Sequence, residues 1–170
     1  PTPTITPTPT PTPPFTSPPE IIVEEPVLAP AYGPICDTAW YRFSNNRGYY
    51  AYLTLNTNDP DQSTNSATWR TIIKYTGYYK IYAYIAYHPS IDWTCPSKHI
   101  SYDTSDAHYT IYYSGGSLTV SGNQRPLNDE WLYLGEVYLE AGDSASVVVV
   151  DLNHEPNLSY TINISAMRFT

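Results

Sequence analysis

Beyond Cys36 the chain alternates apolar and polar side chains with a period of two, and nowhere with the 3.6-residue period of a helix. The clearest stretch sets Tyr79, Ile81, Ala83, Ile85 and Tyr87 against Tyr78, Lys80, Tyr82, Tyr84 and Ala86, which predicts a half-buried strand with the first set facing the core. Tyr109-Thr110-Ile111-Tyr112-Tyr113 and Ser117-Leu118-Thr119-Val120-Ser121 flank Ser114-Gly115-Gly116, whose glycines suit the positive φ angles of a tight hairpin. Further strands are predicted at 39–43, 49–55, 67–71, 131–135, 137–140, 145–151 and 160–169. Short strands punctuated by Asn, Asp, Gly and Pro predict an all-β fold, an antiparallel jelly-roll-like β-sandwich.

The first nineteen residues break this pattern with nine prolines set mainly among threonines. Proline lacks the N–H and its ring fixes φ, so this tract can neither hold a helix nor pair as a central strand. An extended polyproline-II-like tail is expected over 1–19, reaching roughly 60 Å at about 3.1 Å per residue. A connecting segment follows over 20–35, in which Ile21-Ile22-Val23 is a β-branched run fenced by prolines. Its apolar residues need a groove to enter, which suits an edge strand, and it is expected to act as an assembly strand that completes a sheet edge of a neighbouring copy. The sandwich domain is placed at 36–170.

Composition narrows the partners. Charged residues make up 14% of the chain and the net charge is −8, with no lysine or arginine stripe, which argues against nucleic acid. No apolar run is long enough to span a bilayer, and Pro1 opens without the charged and apolar regions of a leader, so membrane insertion is not expected and the chain reads as mature or excised. The two cysteines, Cys36 and Cys95, are far apart and form no CxxC pair. A disulfide in an oxidising, extracellular or cell-surface setting fits them better than two buried thiols, and closing that loop contributes on the order of 4 kcal/mol.

Candidate chemistry is sparse. His88, His99, His108 and His154 share no motif, and no G-x-S-x-G elbow supplies a nucleophile. Carboxylate pairs such as Asp129-Glu130 and Asp103 with Asp106 fall in turns, where Asp commonly bonds its own backbone. The oxygen-rich stretch 56–63 lacks the glycine and distal glutamate of an EF-hand loop. The chain is therefore not expected to be an enzyme, nor to need a cofactor or metal. Tyr78, Tyr82 and Tyr84 share the face opposite the core set, and with Trp93 they are candidate contacts for a glycan or the tail. The competing reading is packing, since tyrosine buries its ring while its hydroxyl finds a partner. Thr2, Thr4, Thr6, Thr8, Thr10, Thr12, Thr16 and Ser17 form the Ser/Thr-and-Pro context of O-glycosylation. Asn157-Leu158-Ser159 and Asn163-Ile164-Ser165 match the N-glycosylation acceptor pattern.

Several segments, in this order, carry a family resemblance: Ala67-Thr68-Trp69, Gly77 through Ile85, Asp106 through Ile111, Asn123-Gln124, Glu130 through Gly135, and Ala166-Met167-Arg168-Phe169. Over residues 36–169 the chain resembles the golvesin and xanthan-lyase-type carbohydrate-binding-like domains, β-sandwich modules of secreted bacterial proteins. The resemblance implies a non-catalytic accessory module and names no ligand. The stretch from Tyr87 to Thr104 departs from the simplest family pattern, which suggests that Cys95 pins this insertion to Cys36. The function expected first is a structural subunit that assembles head-to-tail with copies of itself into a glycosylated extracellular fibre. The alternative is a carbohydrate-binding module tethered by a Pro/Thr linker to a secreted enzyme, with polysaccharide as its partner.

Overall fold

The computed structural model describes residues 18–33 and 40–170. The tail candidates from Thr2 to Ser17, and Cys36, lie outside the described residues. Strands supply almost all the regular structure, with one 3-10 turn at Pro60–Gln62 and no α-helix among the described residues. One four-stranded sheet runs in the order β1 (Ile21–Val23), β14 (Met167–Phe169), β6 (Gly77–Ile85) and β11 (Glu130–Leu139). A five-stranded sheet runs β10 (Gly116–Gly122), β9 (Ala107–Tyr113), β12 (Ser144–Val150), β5 (Ser66–Ile72) and β2 (Val27–Ala29). All neighbours in both are antiparallel.

The main core fills the space between these sheets. Tyr79, Ile81, Ala83 and Ile85 of β6 meet Trp69, Tyr109, Ile111, Val147 and Val149 from the facing sheet, all in one buried cluster. Burying each large side chain contributes about 1.5–3 kcal/mol, which is why register here tolerates no slip. Tyr87, expected to face inward with that set, is instead 58% exposed. β6 ends at Ile85, and the next two amides are taken by side chains, Ala86 N by Asn163 Oδ1 and Tyr87 N by Asp129 Oδ1.

A three-stranded sheet of β13 (Thr161–Ile164), β4 (Tyr50–Leu55) and β3 (Tyr41–Ser44) carries a second core of Leu53, Leu55, Ile91, Trp93 and Ile100. Part of that core comes from the insertion, which folds into a hairpin of β7 (Ile91–Thr94) and β8 (Ser97–Ile100). Cys95, at its turn, is disulfide-bonded. Its expected partner, Cys36, is not among the described residues.

Three further differences from the sequence expectations have local causes. The segments predicted at 131–135 and 137–140 are one strand interrupted by a bulge between Tyr133 and Gly135. The predicted strand 160–169 divides at Ser165-Ala166, because β13 pairs with β4 while β14 pairs with β6. At the predicted hairpin, a two-residue loop links Tyr113 to its partner Gly116, and only Gly116 uses a positive φ, 141°.

The connecting segment is built into the sandwich. Ile21, Ile22 and Val23 pair in register with Phe169, Arg168 and Met167 of the same chain, so the expected assembly strand is an edge of its own sheet. Ile21 and Val23 pack on the main core, which supplies the apolar partner that proximity in sequence did not reveal. Pro18 also lies on the domain, its Cγ only 2.7 Å from where a Cβ on Gly77 would stand.

Gly135 occupies the bulge at φ 152°, and a Cβ there would come within 2.8 Å of Leu118 Cδ2. Gly135→Ala therefore adds backbone strain and a clash at once. A loss of about 2 kcal/mol is expected in urea denaturation, and a change under about 0.5 kcal/mol would show that the bulge accepts a side chain.

Candidate functional site

The outer face of the four-stranded sheet presents an aromatic ladder. Strand register sets Tyr78 opposite Tyr138, Tyr82 opposite Tyr133, and Tyr84 opposite Trp131. Each pair makes ring contact, with centroids 5.2, 5.3 and 5.1 Å apart respectively. Tyr84 lies six residue steps beyond Tyr78, so the ladder extends about 20 Å at about 3.3–3.4 Å per residue. Between its first two rungs, Lys80 stands opposite Glu136, and both are exposed.

Cations are interleaved with the rings. The Arg168 guanidinium lies 4.4 Å from the centroids of both Tyr82 and Trp131, and Arg47 lies 5.4 and 5.3 Å from Tyr84 and Trp131. Glu24 fixes Arg47 through two hydrogen bonds, Nε to Oε2 at 3.1 Å and Nη2 to Oε1 at 2.5 Å. Such cation–π contacts stiffen the rings in place.

Exposure divides the ladder. Tyr78 is 60% exposed, Tyr133 53% and Tyr138 47%, while Tyr84 is 4% exposed. Tyr84 belongs to a small cluster with Ala51, Ala86 and Ala166, flanked by Ile22, Phe43 and Trp131. Its hydroxyl donates to Asn46 Oδ1 at 2.6 Å, and burial pushes its pKa up. Of the expected contacts, Tyr78 and Tyr82 thus stand on an accessible face, whereas Tyr84 is a packing residue. Trp93 is buried too, and its indole N–H donates to Cys95 O at 3.0 Å. Cross-strand aromatic pairs contribute about 0.2–1 kcal/mol each to a sheet. That role does not account for tyrosine faces left open to solvent.

A cleft of about 320 Å³ opens where β6 runs into the insertion. Tyr87 and Tyr102 on its lining are 58% and 62% exposed, and His88, Asp103, Arg125 and Asn128 supply polar groups. Sequence reasoning missed this cleft, because the alternation placed Tyr87 inward and nothing singled out Tyr102.

A buried polar network backs the cleft. Asn163 Nδ2 donates to Ala86 O at 2.8 Å and to Asp103 Oδ2 at 3.0 Å, and Thr161 Oγ1 donates to Asp103 Oδ1 at 2.8 Å. Gln124 Nε2 donates to Tyr109 Oη and to Asn163 O, while its Oε1 accepts from Asn163 N. Asn163 is 1% exposed with its amide nitrogen committed, so it is not available as the glycosylation acceptor its sequon suggests. Asn157, the other candidate, is exposed.

His88 faces acceptors with both nitrogens, Nδ1 toward Pro89 O at 2.8 Å and Nε2 toward Asp103 Oδ1 at 3.0 Å. Only the doubly protonated ring donates to both. Burial alone would lower its pKa, but the hydrogen bond and charge of Asp103 outweigh burial and hold His88 above its ordinary value.

Residues 34–169 match the Golvesin C-terminal domain family. The chain belongs to that family. Among solved structures, the golvesin-type domain is similar to a Paenibacillus xanthan lyase, at TM-score 0.62 and 16% identity over 89% of this chain and 13% of the lyase. It is also similar to the C-terminal CBM6 of LamC, a marine laminarinase from Zobellia galactanivorans, at TM-score 0.50 and 12% identity over 89% of this chain and 98% of that module. An exo-β-1,3-galactanase from Phanerochaete chrysosporium, solved with galactose, matches at TM-score 0.50 and 11% identity over 91% of this chain and 30% of the enzyme. At these identities the likeness is one of fold. No curated protein sequence matches the chain.

Two outcomes follow from the buried network. A histidine whose folded pKa is raised contributes stability that is fully present below the unfolded value of about 6.5 and is lost as pH rises through the folded value. NMR titration should place the His88 midpoint above about 6.5, with the thermal midpoint falling across that window; a midpoint at or below that value refutes the assignment. On secretion from a glycosylating host, peptide mass mapping should find any N-glycan at Asn157 and none at Asn163. Glycan on Asn163 in folded protein would contradict its burial.

Proposed function

We propose that this golvesin-type domain is a non-catalytic polysaccharide-binding module of a secreted protein, gripping an extended glycan along the aromatic face of β6 and β11. The observation that carries the reading is the ladder itself, with Tyr78, Tyr133 and Tyr138 solvated on a rigid sheet. Pyranose rings present C–H faces to tyrosine faces, and Lys80 and Glu136 stand between the rungs to meet hydroxyl groups. Rings already ordered by their neighbours lose little freedom on contact, which favours binding. Support comes also from the fold, shared with a CBM6 module over nearly the whole of that module.

The fibre reading loses its motivation once the assembly strand lies in its own sheet. The tail keeps a role in the binding reading, as a spacer whose threonines from Thr2 to Thr16 carry O-glycans. An acidic module with a disulfide-bonded Cys95 suits an extracellular or cell-surface location.

Affinity electrophoresis against a panel of soluble β-glucans, galactans, mannans and xanthan tests the proposal. Retardation by at least one polysaccharide is expected, weakened roughly three- to tenfold by each of Tyr78→Ala, Tyr133→Ala and Tyr138→Ala. Binding that ignores those changes but vanishes with Tyr87→Ala or Tyr102→Ala would move the contact to the cleft. No retardation by any member of the panel would overturn the reading.

A further inference from the structure

Two of the four histidines, unrelated in sequence, converge on one carboxylate. Asp106 immediately precedes β9 and His108 is the second residue of that strand, so the extended backbone entering it puts the two on one face. His154 comes from the loop after β12, which the β12–β9 pairing brings alongside, with Val150 opposite His108. His108 Nε2 lies 3.1 Å from Asp106 Oδ1, and His154 Nδ1 lies 2.8 Å from Asp106 Oδ2. The ring centroids are 4.9 Å apart, and one ligand atom from each of the three residues falls within 4.8 Å of the others.

We propose that Asp106, His108 and His154 form a binding site for a first-row transition-metal ion of the zinc type. Two imidazole nitrogens and one carboxylate oxygen are the donor set such ions favour, whereas Ca²⁺ and Mg²⁺ favour all-oxygen cages. A tetrahedral zinc ion with bonds of about 2.0–2.2 Å needs ligand atoms about 3.3 Å apart. Rotation of His154, whose side chain is 85% exposed, closes the remaining distance. The ion then occupies the place of the ring protons that point at Asp106, and a fourth position faces solvent.

The surroundings hold this geometry before any ion arrives. Asn153 and Glu155, on either side of His154, are both tied to the residues that precede Asp106. Asn153 Nδ2 donates to Thr104 Oγ1 at 2.9 Å, while the Glu155 carboxylate accepts from Thr104 Oγ1, from Ser105 N at 3.2 Å and from Ser105 Oγ at 2.7 Å. Arg125 Nη2 reaches Glu155 Oε1 at 2.8 Å. Asp106 is oriented by the hydroxyl of Ser121 and by the backbone N–H of His154 at 3.0 Å. Oriented, hydrogen-bonded ligands of this kind raise metal affinity. His88 and His99, by contrast, each face a single carboxylate and belong to no such group among the described residues.

Isothermal titration of the tag-free chain with Zn²⁺ alone should give one ion per chain. Co²⁺ should bind with the visible absorption of a low-coordinate site, and a saturating excess of Zn²⁺ should raise the thermal midpoint while Ca²⁺ leaves it unmoved. His154→Ala, which removes an exposed side chain, should weaken Zn²⁺ at least tenfold while the metal-free chain keeps its cooperative thermal transition. Asp106→Asn should weaken it similarly, and His99→Ala should not. The proposal fails if the chain takes up no Zn²⁺ at millimolar concentration, or if His154→Ala and Asp106→Asn bind as tightly as the parent chain. Because no sugar enters this experiment, its outcome is independent of polysaccharide binding.

Discussion

Between Ile164 and Met167 the last strand leaves one sheet and joins another, and every backbone group freed at that corner must find a partner in a dry interior. Unpaired groups there would each cost about 1–3 kcal/mol. The chain answers with side chains chosen for position and with the backbone of β6. Ser165 O accepts the indole N–H of Trp69 at 2.7 Å, Ala166 O accepts Tyr84 N at 2.8 Å, and Asn163 and Gln124 exchange hydrogen bonds just before the turn. Because Asn163 also holds Ala86 and Asp103, the same corner positions the end of β6, the mouth of the insertion and the cleft with Tyr87 and Tyr102. One strand changing sheets thus ties the core strand β6 to the loop surfaces around the cleft.

Much of the architecture is legible from alternation alone. Tyr79, Ile81, Ala83 and Ile85 face the core because a two-residue period leaves them no other side, and the hairpin at Ser114-Gly115 follows from its flanking strands. The division at Ser165-Ala166 is not legible, since both halves read as strand and only tertiary pairing tells them apart. The hairpin inside the insertion is hidden for a related reason: with four-residue strands, the alternation of Ile91 and Trp93 is too short to register. For Ile21-Ile22-Val23 the edge strand was legible in the sequence and its partner was not. Ile21-Ile22-Val23 needed an apolar groove, and the groove lay in the last residues of the same chain.

The candidate site shows the same boundary. That Tyr78 and Tyr82 share a solvent face is a statement about one strand, and it holds. That Tyr138 and Tyr133 stand opposite them depends on the register of β11, including its bulge, and no local signal encodes that. His108 and His154 are likewise silent in sequence, forty-six positions apart. Their meeting at Asp106 arises from strands β9 and β12 lying side by side.

The pairing of β1 with β14 also sets how the molecule bears load. Ile21, at the head of β1, lies opposite Phe169, at the end of β14. Tension applied between a segment before Ile21 and one beyond Phe169 therefore pulls the two strands apart from their shared end. Their hydrogen bonds break one after another, as in peeling, and do not shear together. A module joined this way yields first at its seam, releasing a short length of slack while the barrier to pulling out β6, paired on both sides by β14 and β11, still stands.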